Sequence, residues 1–403
     1  MRFVAGIVLA FLALVALNIV AVAIVPGSAL GVLAFIEVVL VVIFFHELGH
    51  FATAKWFGIK VEEFFIGFGP RVWSFRKDET EYGVKAIPAG GYVRIAGMNP
   101  FQETAPEDLP RTFGAKPPWQ RAVVLVAGSL THFILALLLL AVYFGAIGVP
   151  ARVTPRVATV EARLDGRPSP AMQAGLRPGD EFVSVDGRPV TDYDEFVEYT
   201  RSRVGRAIEV VVDRDGQRIT RAVTPVLAEV EGQQVGRLGV ILTGGTVMQR
   251  DRVGLFTAIG RSGSTVGEMV AESVRAMGRI FSPEGLGRIG RQIFGEEPRD
   301  VDDAAGVVGA ARLSGQAVSA GAFDVLFFLF AGFNVFVGLL NLLPLPPLDG
   351  GHLAVVGVEK LTKRRVDVRR LLPITALVVA FLLLFFVSLL YLDVVRPLPN
   401  PFQ

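Results

Sequence analysis

His46-Glu47-Leu48-Gly49-His50 is the run in this 403-residue chain whose residue types and spacing can do chemistry. Four residues make about one helical turn, so the two imidazoles stand on one helix face about 6 Å apart. From there both reach a zinc ion at about 2.1 Å, while Glu47 projects beside them toward a water. The run lies inside an apolar stretch and not in a loop. Lys55 marks the polar end of that stretch and leaves His46 about 13 Å inside it by helical rise. An ionisable cluster at such depth costs several kcal/mol unless it is paired, metal-bound or facing a wet cavity. The bland alternative is a trio of polar residues bonding to neighbouring helices, and ligand spacing argues against it.

Two histidines leave a catalytic zinc short of a third protein ligand. The chain has four histidines and no cysteine, which excludes disulfides, thiolate nucleophiles, iron–sulfur clusters and cysteine-type zinc sites. His, Asp and Glu remain as strong ligands. A candidate stands in Asn341-Leu342-Leu343-Pro344-Leu345-Pro346-Pro347-Leu348-Asp349-Gly350-Gly351, where the prolines must stop a helix and remove backbone donors. A broken helix is tolerated at membrane depth only where protein or a cavity surrounds it. Asp349 suits either a metal ligand or the N-cap of a helix over 350–361, and the residues alone leave both open.

The elements that must position these groups are membrane helices. The chain is 52% apolar and 19% charged, with a mean hydropathy of +0.51, well below the charged content of soluble domains. Apolar stretches at 3–25, 30–53, 122–148, 322–345 and 371–392 are long enough to cross about 30 Å of hydrocarbon. The first, after Met1-Arg2 and with the small triplet Ala21-Val22-Ala23, suits an additional helix or a cleaved leader; its long apolar core favours the helix. Lys60, Arg71, Arg76, Lys77, Lys85, Arg94, Arg111 and Lys116 follow the HExxH span, and Lys360, Lys363, Arg364, Arg365, Arg369 and Arg370 precede the last span. Both connections therefore read as cytoplasmic, which leaves 149–321 outside. Forty basic against 38 acidic residues give no basic surface for nucleic acid.

The exported segment begins as a compact β-rich domain. A helix end and turn over 174–180 leads to a strand at 181–185, a hairpin turn at Asp186-Gly187, a short helix at 194–200, and strands at 207–213 and 220–225 around Asp215-Gly216. This order resembles a PDZ domain of the circularly permuted bacterial type over about 155–228, which implies capture of an extended peptide or chain end by strand addition. A small β-sandwich spacer is the alternative. Beyond 229 glycine is frequent, and Val266, Met269, Val270, Val274 and Met277 recur at helical spacing within an amphipathic stretch at 255–281, suited to packing on the membrane or on another helix.

HExxH in an early membrane helix, a PDZ-like domain before the third core helix, and a late Asn-x-x-Pro followed by Leu-Asp-Gly together resemble the site-2 protease family of intramembrane zinc metalloproteases, from about Leu30 onward. The resemblance implies a polytopic α-helical membrane protein with a site-2 protease-like transmembrane core, a re-entrant β-hairpin on the cytoplasmic side and an extracytoplasmic PDZ domain. Its parts would be an additional N-terminal helix or signal-like segment (1–29), the first core part (30–148), the PDZ domain (149–228), an extracytoplasmic linker with amphipathic helices (229–321) and the second core part (322–403). One Zn2+ per chain would be bound by His46, His50 and Asp349, with Glu47 as general base. Asn341 and Pro344 match positions that engage and unwind the substrate helix, and the segment 67–93, with Gly90, Gly91 and Tyr92, matches the hairpin whose edge holds substrate extended.

The implied partners are the lipid bilayer and single-span membrane proteins already shortened on the outer face. Anti-sigma factors and remnant signal peptides are the substrate types, in regulated intramembrane proteolysis at the cell's inner membrane. Two departures stand out. The span at 3–25 is extra to a four-helix core, and Gly128-Ser129-Leu130-Thr131-His132 replaces the family's Gly-Pro-x-x-Asn. His132 is therefore a candidate accessory residue that bonds to the site, adds a metal contact or packs, whereas His352 reads as a polar helix residue. The competing classes are a zinc transporter or sensor, and a noncatalytic PDZ scaffold. Neither requires a Glu between the two histidines.

Overall fold

The computed structural model describes residues 27–401 except 100, 102–103, 165, 231–232 and 301–302, so the expected span at 3–25 lies outside the described residues. In chain order the main elements are α1 (Gly27–Trp56), β1 (Val61–Lys77), β2 (Thr80–Ile95), α2 (Pro118–Ala146), β3 (Val149–Val160), β4 (Glu181–Val185), α3 (Tyr193–Arg201), β5 (Ile208–Arg214), β6 (Gln217–Val223), β7 (Val240–Asp251), α4 (Leu255–Ile280), α5 (Pro283–Phe294), α6 (Val307–Ser319), α7 (Phe323–Asn341), α8 (Asp349–Thr362) and α9 (Leu372–Val395). Among the described residues, four stretches are helical, long and apolar enough to cross a membrane: Ala29–Trp56, Pro118–Ala146, Phe323–Asn341 and Arg369–Val395. The third ends at Asn341 and not at 345 as expected. Pro344, Pro346 and Pro347 lack N–H donors and push the residues before them out of helical geometry.

The chain divides into a helical unit, residues up to 141 and from 258 onward, and a β-rich unit over 142–257. In the helical unit the spans meet through small residues, because in lipid close van der Waals contact replaces the hydrophobic drive. A Cβ on Gly49 would lie 2.5 Å from the Ala127 carbonyl oxygen, so α1 and α2 touch backbone to backbone there. The buried face of α6 is Gly309, Ala311, Ser314, Gly315 and Ala317 with one larger residue, Val318, while Phe35 of α1 packs edge-on to Phe333 of α7, with centroids 5.5 Å apart. Buried ion pairs fasten helix ends: Arg121 to Glu359 at 2.6 Å, and Arg299 to Asp393 at 3.2 Å.

β1 and β2 do more than form a hairpin. Glu63 to Ile66 lie opposite Arg94 to Gly91 on one side and opposite Glu81 to Val84 on the other, while Trp73 to Lys77 pair back with Val84 to Thr80. The two long strands thus fold into a sheet of four segments in the order 91–95, 61–66, 80–87, 71–77, and the chain bends between 61–66 and 71–77 at Gly67 and Gly69, with φ of 91° and 81°. The segment 91–95 is an edge.

In the β-rich unit the strand order is β7-β3-β4-β5-β6, with antiparallel neighbours. Its core gathers Val157, Leu176, Phe182, Val185, Ile208, Val210, Val212 and Phe196, the last from α3. The strands at 181–185 and around Asp215-Gly216 stand where alternation placed them. β7 lies past the expected limit at 228 yet pairs with β3 from Val240 opposite Val160 to Asp251 opposite Val149, so this sheet takes in residues the sequence reading gave to the linker. Gly244-Gly245 breaks the alternation that would have revealed the strand, and the register shifts there. α4 follows closely the amphipathic stretch at 255–281.

Candidate metal centre

α1 carries His46 and His50 one turn apart, and the start of α8 brings Asp349 to them. The Nε2 atoms of the two imidazoles are 3.2 Å apart, and Asp349 Oδ2 lies 3.4 Å from His46 Nε2 and 3.3 Å from His50 Nε2. Ligand atoms bound tetrahedrally at about 2.0–2.1 Å stand about 3.3–3.4 Å apart, so this triangle has the size of one face of a zinc coordination tetrahedron. The donor chemistry fits as well. His50 Nδ1 donates to the Val124 carbonyl at 2.8 Å, which leaves Nε2 with its lone pair facing the triangle. Asp349 Oδ2 is buried with no hydrogen-bond partner. His50 Nε2 and Asp349 Oδ2 are then two acceptors 3.3 Å apart, which calls for a cation between them. Among the described residues, these three form the group of His, Asp and Glu side chains arranged to share a metal.

The positions of the neighbours follow from backbone constraints. A Cβ on Gly128 would fall 2.2 Å from His50 Nε2 and 2.9 Å from His46 Cε1, so only a glycine lets α2 pass this close to the imidazoles. Asp349 is the first residue of α8, and the N-cap is Leu348 without a side-chain bond, so the capping role left open by the sequence is not the one Asp349 takes. Gly350 and Gly351 press against the loop, where a Cβ would meet Leu342 O at 2.2 Å and Pro346 N at 2.4 Å; this tight return aims Asp349 at α1. Asn341 is the last residue of α7, and Pro344 sits exposed in the turn after it.

The sheet edge borders Glu47. A Cβ on Gly91 would be 3.1 Å from Glu47 Cγ, so the strand edge lies directly against this side chain. Gly90 precedes this contact with φ 156°. Tyr92 is engaged elsewhere: its ring stacks on Phe65, Lys85 Nζ lies 4.8 Å from its centroid, and its hydroxyl donates to Glu63. His132 stands behind the triangle, with Nε2 3.1 Å from His46 Nδ1. His352, half-buried, lies one turn along α8 from Asp349 and is not a member of the triangle.

The model of peptidase family M50 matches residues 34–386. The chain belongs to peptidase family M50. Zinc metalloprotease Rip1 of Mycobacterium tuberculosis is 32% identical over 399 residues, covering 91% of this chain and 98% of the relative. Rip1 of Mycolicibacterium smegmatis is 32% identical over 408 residues, with 92% and 98% covered. A putative zinc metalloprotease of Mesorhizobium japonicum is 34% identical over 349 residues, with 83% and 90% covered. This M50 peptidase is accordingly a zinc metalloprotease of the site-2 type and an integral membrane protein. Sequence reasoning missed two groups beside its metal centre, the Val124 carbonyl and Asn334. A lone Asn in the apolar run of α7 was the available signal for the second; a backbone carbonyl leaves none.

Proposed function

We propose that this M50 peptidase hydrolyses peptide bonds within or beside transmembrane segments of membrane-anchored proteins, with His46, His50 and Asp349 as zinc ligands and Glu47 as general base. The observation that carries the reading is the donor triangle of 3.2–3.4 Å sides with a carboxylate next in sequence to one of its histidines. When bound, zinc supplies Lewis acidity that polarises a scissile carbonyl and activates water near neutral pH. Glu47 takes a proton from the attacking water and passes it to the leaving amine. The close approach of Gly91 to Glu47 Cγ confines the side chain for that transfer.

A helical substrate hides every carbonyl in its own hydrogen bonds and must unwind before attack. The edge at 91–95 offers replacement backbone bonds by strand addition, with Gly90, Gly91 and Tyr92 along the extended substrate, and Asn341 and Pro344 engage the unwinding helix. The chain is a multi-pass protein of the cell's inner membrane whose active site lies toward the cytoplasmic side, as the basic connections indicate. The β-rich unit acts outside as a PDZ domain. Its groove of about 350 Å³ between α3 and residues 235–242, lined by Tyr193, Val197, Ile241 and Leu242, has room for a peptide strand or a newly cut end. Single-span proteins already shortened on the outer face, of the anti-sigma or remnant signal-peptide type, are the substrates of this regulated proteolysis.

Glu47→Gln is expected to keep one zinc per chain and lower cleavage of a helical membrane reporter at least about 100-fold, the usual scale of a lost general base. Undiminished cleavage with zinc bound overturns the assignment of the base.

A further inference from the structure

The geometry points to His132 and Asn334 as a relay that fixes the tautomer and orientation of His46 toward the metal, a role that rests on the metalloprotease reading above. Its fixed end is the Phe330 carbonyl, which accepts from Asn334 Nδ2 at 2.8 Å. A carbonyl has no proton to give, so the amide is held with Nδ2 toward Phe330 and Oδ1 away from it. Asn334 Oδ1 and His132 Nδ1 are both buried with no other hydrogen-bond partner, and α7 passes so close that a Cβ on Gly338, one turn after Asn334, would lie 3.0 Å from His132 Cβ. Oδ1 can only accept, so pairing them puts the His132 proton on Nδ1. His132 Nε2 then carries a lone pair, and it faces His46 Nδ1 at 3.1 Å. His46 Nδ1–H donates to it, and His46 Nε2 keeps its lone pair on the side of His50 and Asp349.

Direct ligation by His132 does not fit this arrangement, because its near nitrogen meets the Nδ1 atom of His46 and not the Nε2 atom that faces Asp349. Packing alone does not explain it either. His132 is 1% and Asn334 3% exposed, at a contact so close that a Cβ on Gly338 would lie 3.0 Å from His132 Cβ. Apolar side chains would fill such a contact without the cost of burying two polar groups. The two imidazoles of the triangle are thus oriented from opposite sides, His50 by one backbone carbonyl directly and His46 by another through two side chains.

The test uses the full chain purified in detergent and reads zinc retention against a graded chelator, together with thermal unfolding. His132→Phe is expected to weaken zinc binding about 10–100-fold, the usual cost of losing the outer partner of a histidine ligand. Asn334→Leu should weaken it by a smaller factor, and His132→Gln, whose amide oxygen can accept from His46 Nδ1–H, should recover most of the loss. In cobalt-substituted protein the visible bands should shift with His132→Phe and return with Gln. A folded His132→Phe variant that holds zinc like the wild type overturns the relay. Should that variant fail to fold, wild-type zinc retention in Asn334→Leu overturns it equally. A wild type that binds no zinc, or a His46→Ala variant that still holds it, would instead defeat the metalloprotease reading beneath.

Discussion

Each unit of the molecule holds an aspartate with a buried carboxylate oxygen that can be set against the other, and the two are treated in opposite ways. In the β-rich unit Asp180 is fully buried and complete: Arg214 donates to both carboxylate oxygens at 2.6 and 2.8 Å, and the Arg177 N–H adds a third bond at 2.8 Å. In the helical unit Asp349 leaves Oδ2 without a hydrogen bond, 3.3 and 3.4 Å from two imidazole nitrogens. Asp393, also in the helical unit, resembles Asp180, since Arg299 and the Gly309 N–H both donate to it. A buried carboxylate oxygen therefore does not by itself distinguish a site from a structural pair. What distinguishes Asp349 is that it faces another acceptor, His50 Nε2, an arrangement that gains stability only when a cation enters.

The sharpest way to break that contrast is to remove both acids in parallel. Asp349→Ala should abolish zinc binding and cleavage with little change in unfolding, measured by metal analysis and a helical reporter; unchanged zinc stoichiometry would make it a structural residue like Asp180. Asp180→Ala should leave the zinc content alone and destabilise the β-rich unit by about 3 kcal/mol, the scale of breaking a buried pair from one side, as read by hydrogen exchange in the full chain. Gly128→Ala pushes a methyl to within 2.2 Å of His50 Nε2, so zinc affinity should fall about tenfold while the β-rich unit is unaffected, as chelator competition would show.

The smallest expected effect concerns acid. Asp186 accepts the Glu209 N–H at 2.8 Å and the Tyr199 hydroxyl at 2.7 Å, and these bonds hold its carboxyl below the ordinary range. A depressed folded value means that its stabilisation is present above the unfolded value of about 3.9 and is lost as pH falls through the folded one. Exchange protection of β5 should therefore decline below about pH 4, and Asp186→Asn should flatten that decline; an identical pH profile in the variant counts against the assignment.

How much of this was legible in the sequence depended on the range of the contact. His46, Glu47 and His50 lie within one helical turn, so their types and spacing carried the chemistry without any tertiary information. Asp349 reaches them from the far end of the chain, and a residue after a proline run suits a cap as well as a ligand; its companions decide, and those are set by the return at Gly350 and Gly351. The strands at 181–185 and around Asp215-Gly216 alternate cleanly and were readable, whereas β7 was hidden by its paired glycines. At 67–93 the family resemblance implies a simple hairpin where the four-segment sheet stands, and strand patterning does not say which segments become neighbours once a strand bends at Gly67.

The register of that sheet has a consequence for fidelity. Gly91 stands opposite Ile66, and its bare Cα is what clears Glu47. Were 91–95 to slide by a single residue along 61–66, every side chain would swap faces and a tyrosine would arrive where no side chain now stands. The ladder of backbone bonds thus serves as an alignment gauge for Glu47, and with Glu47 as the proposed base, small errors in it would silence the enzyme without disturbing the cation or the residues proposed to hold it.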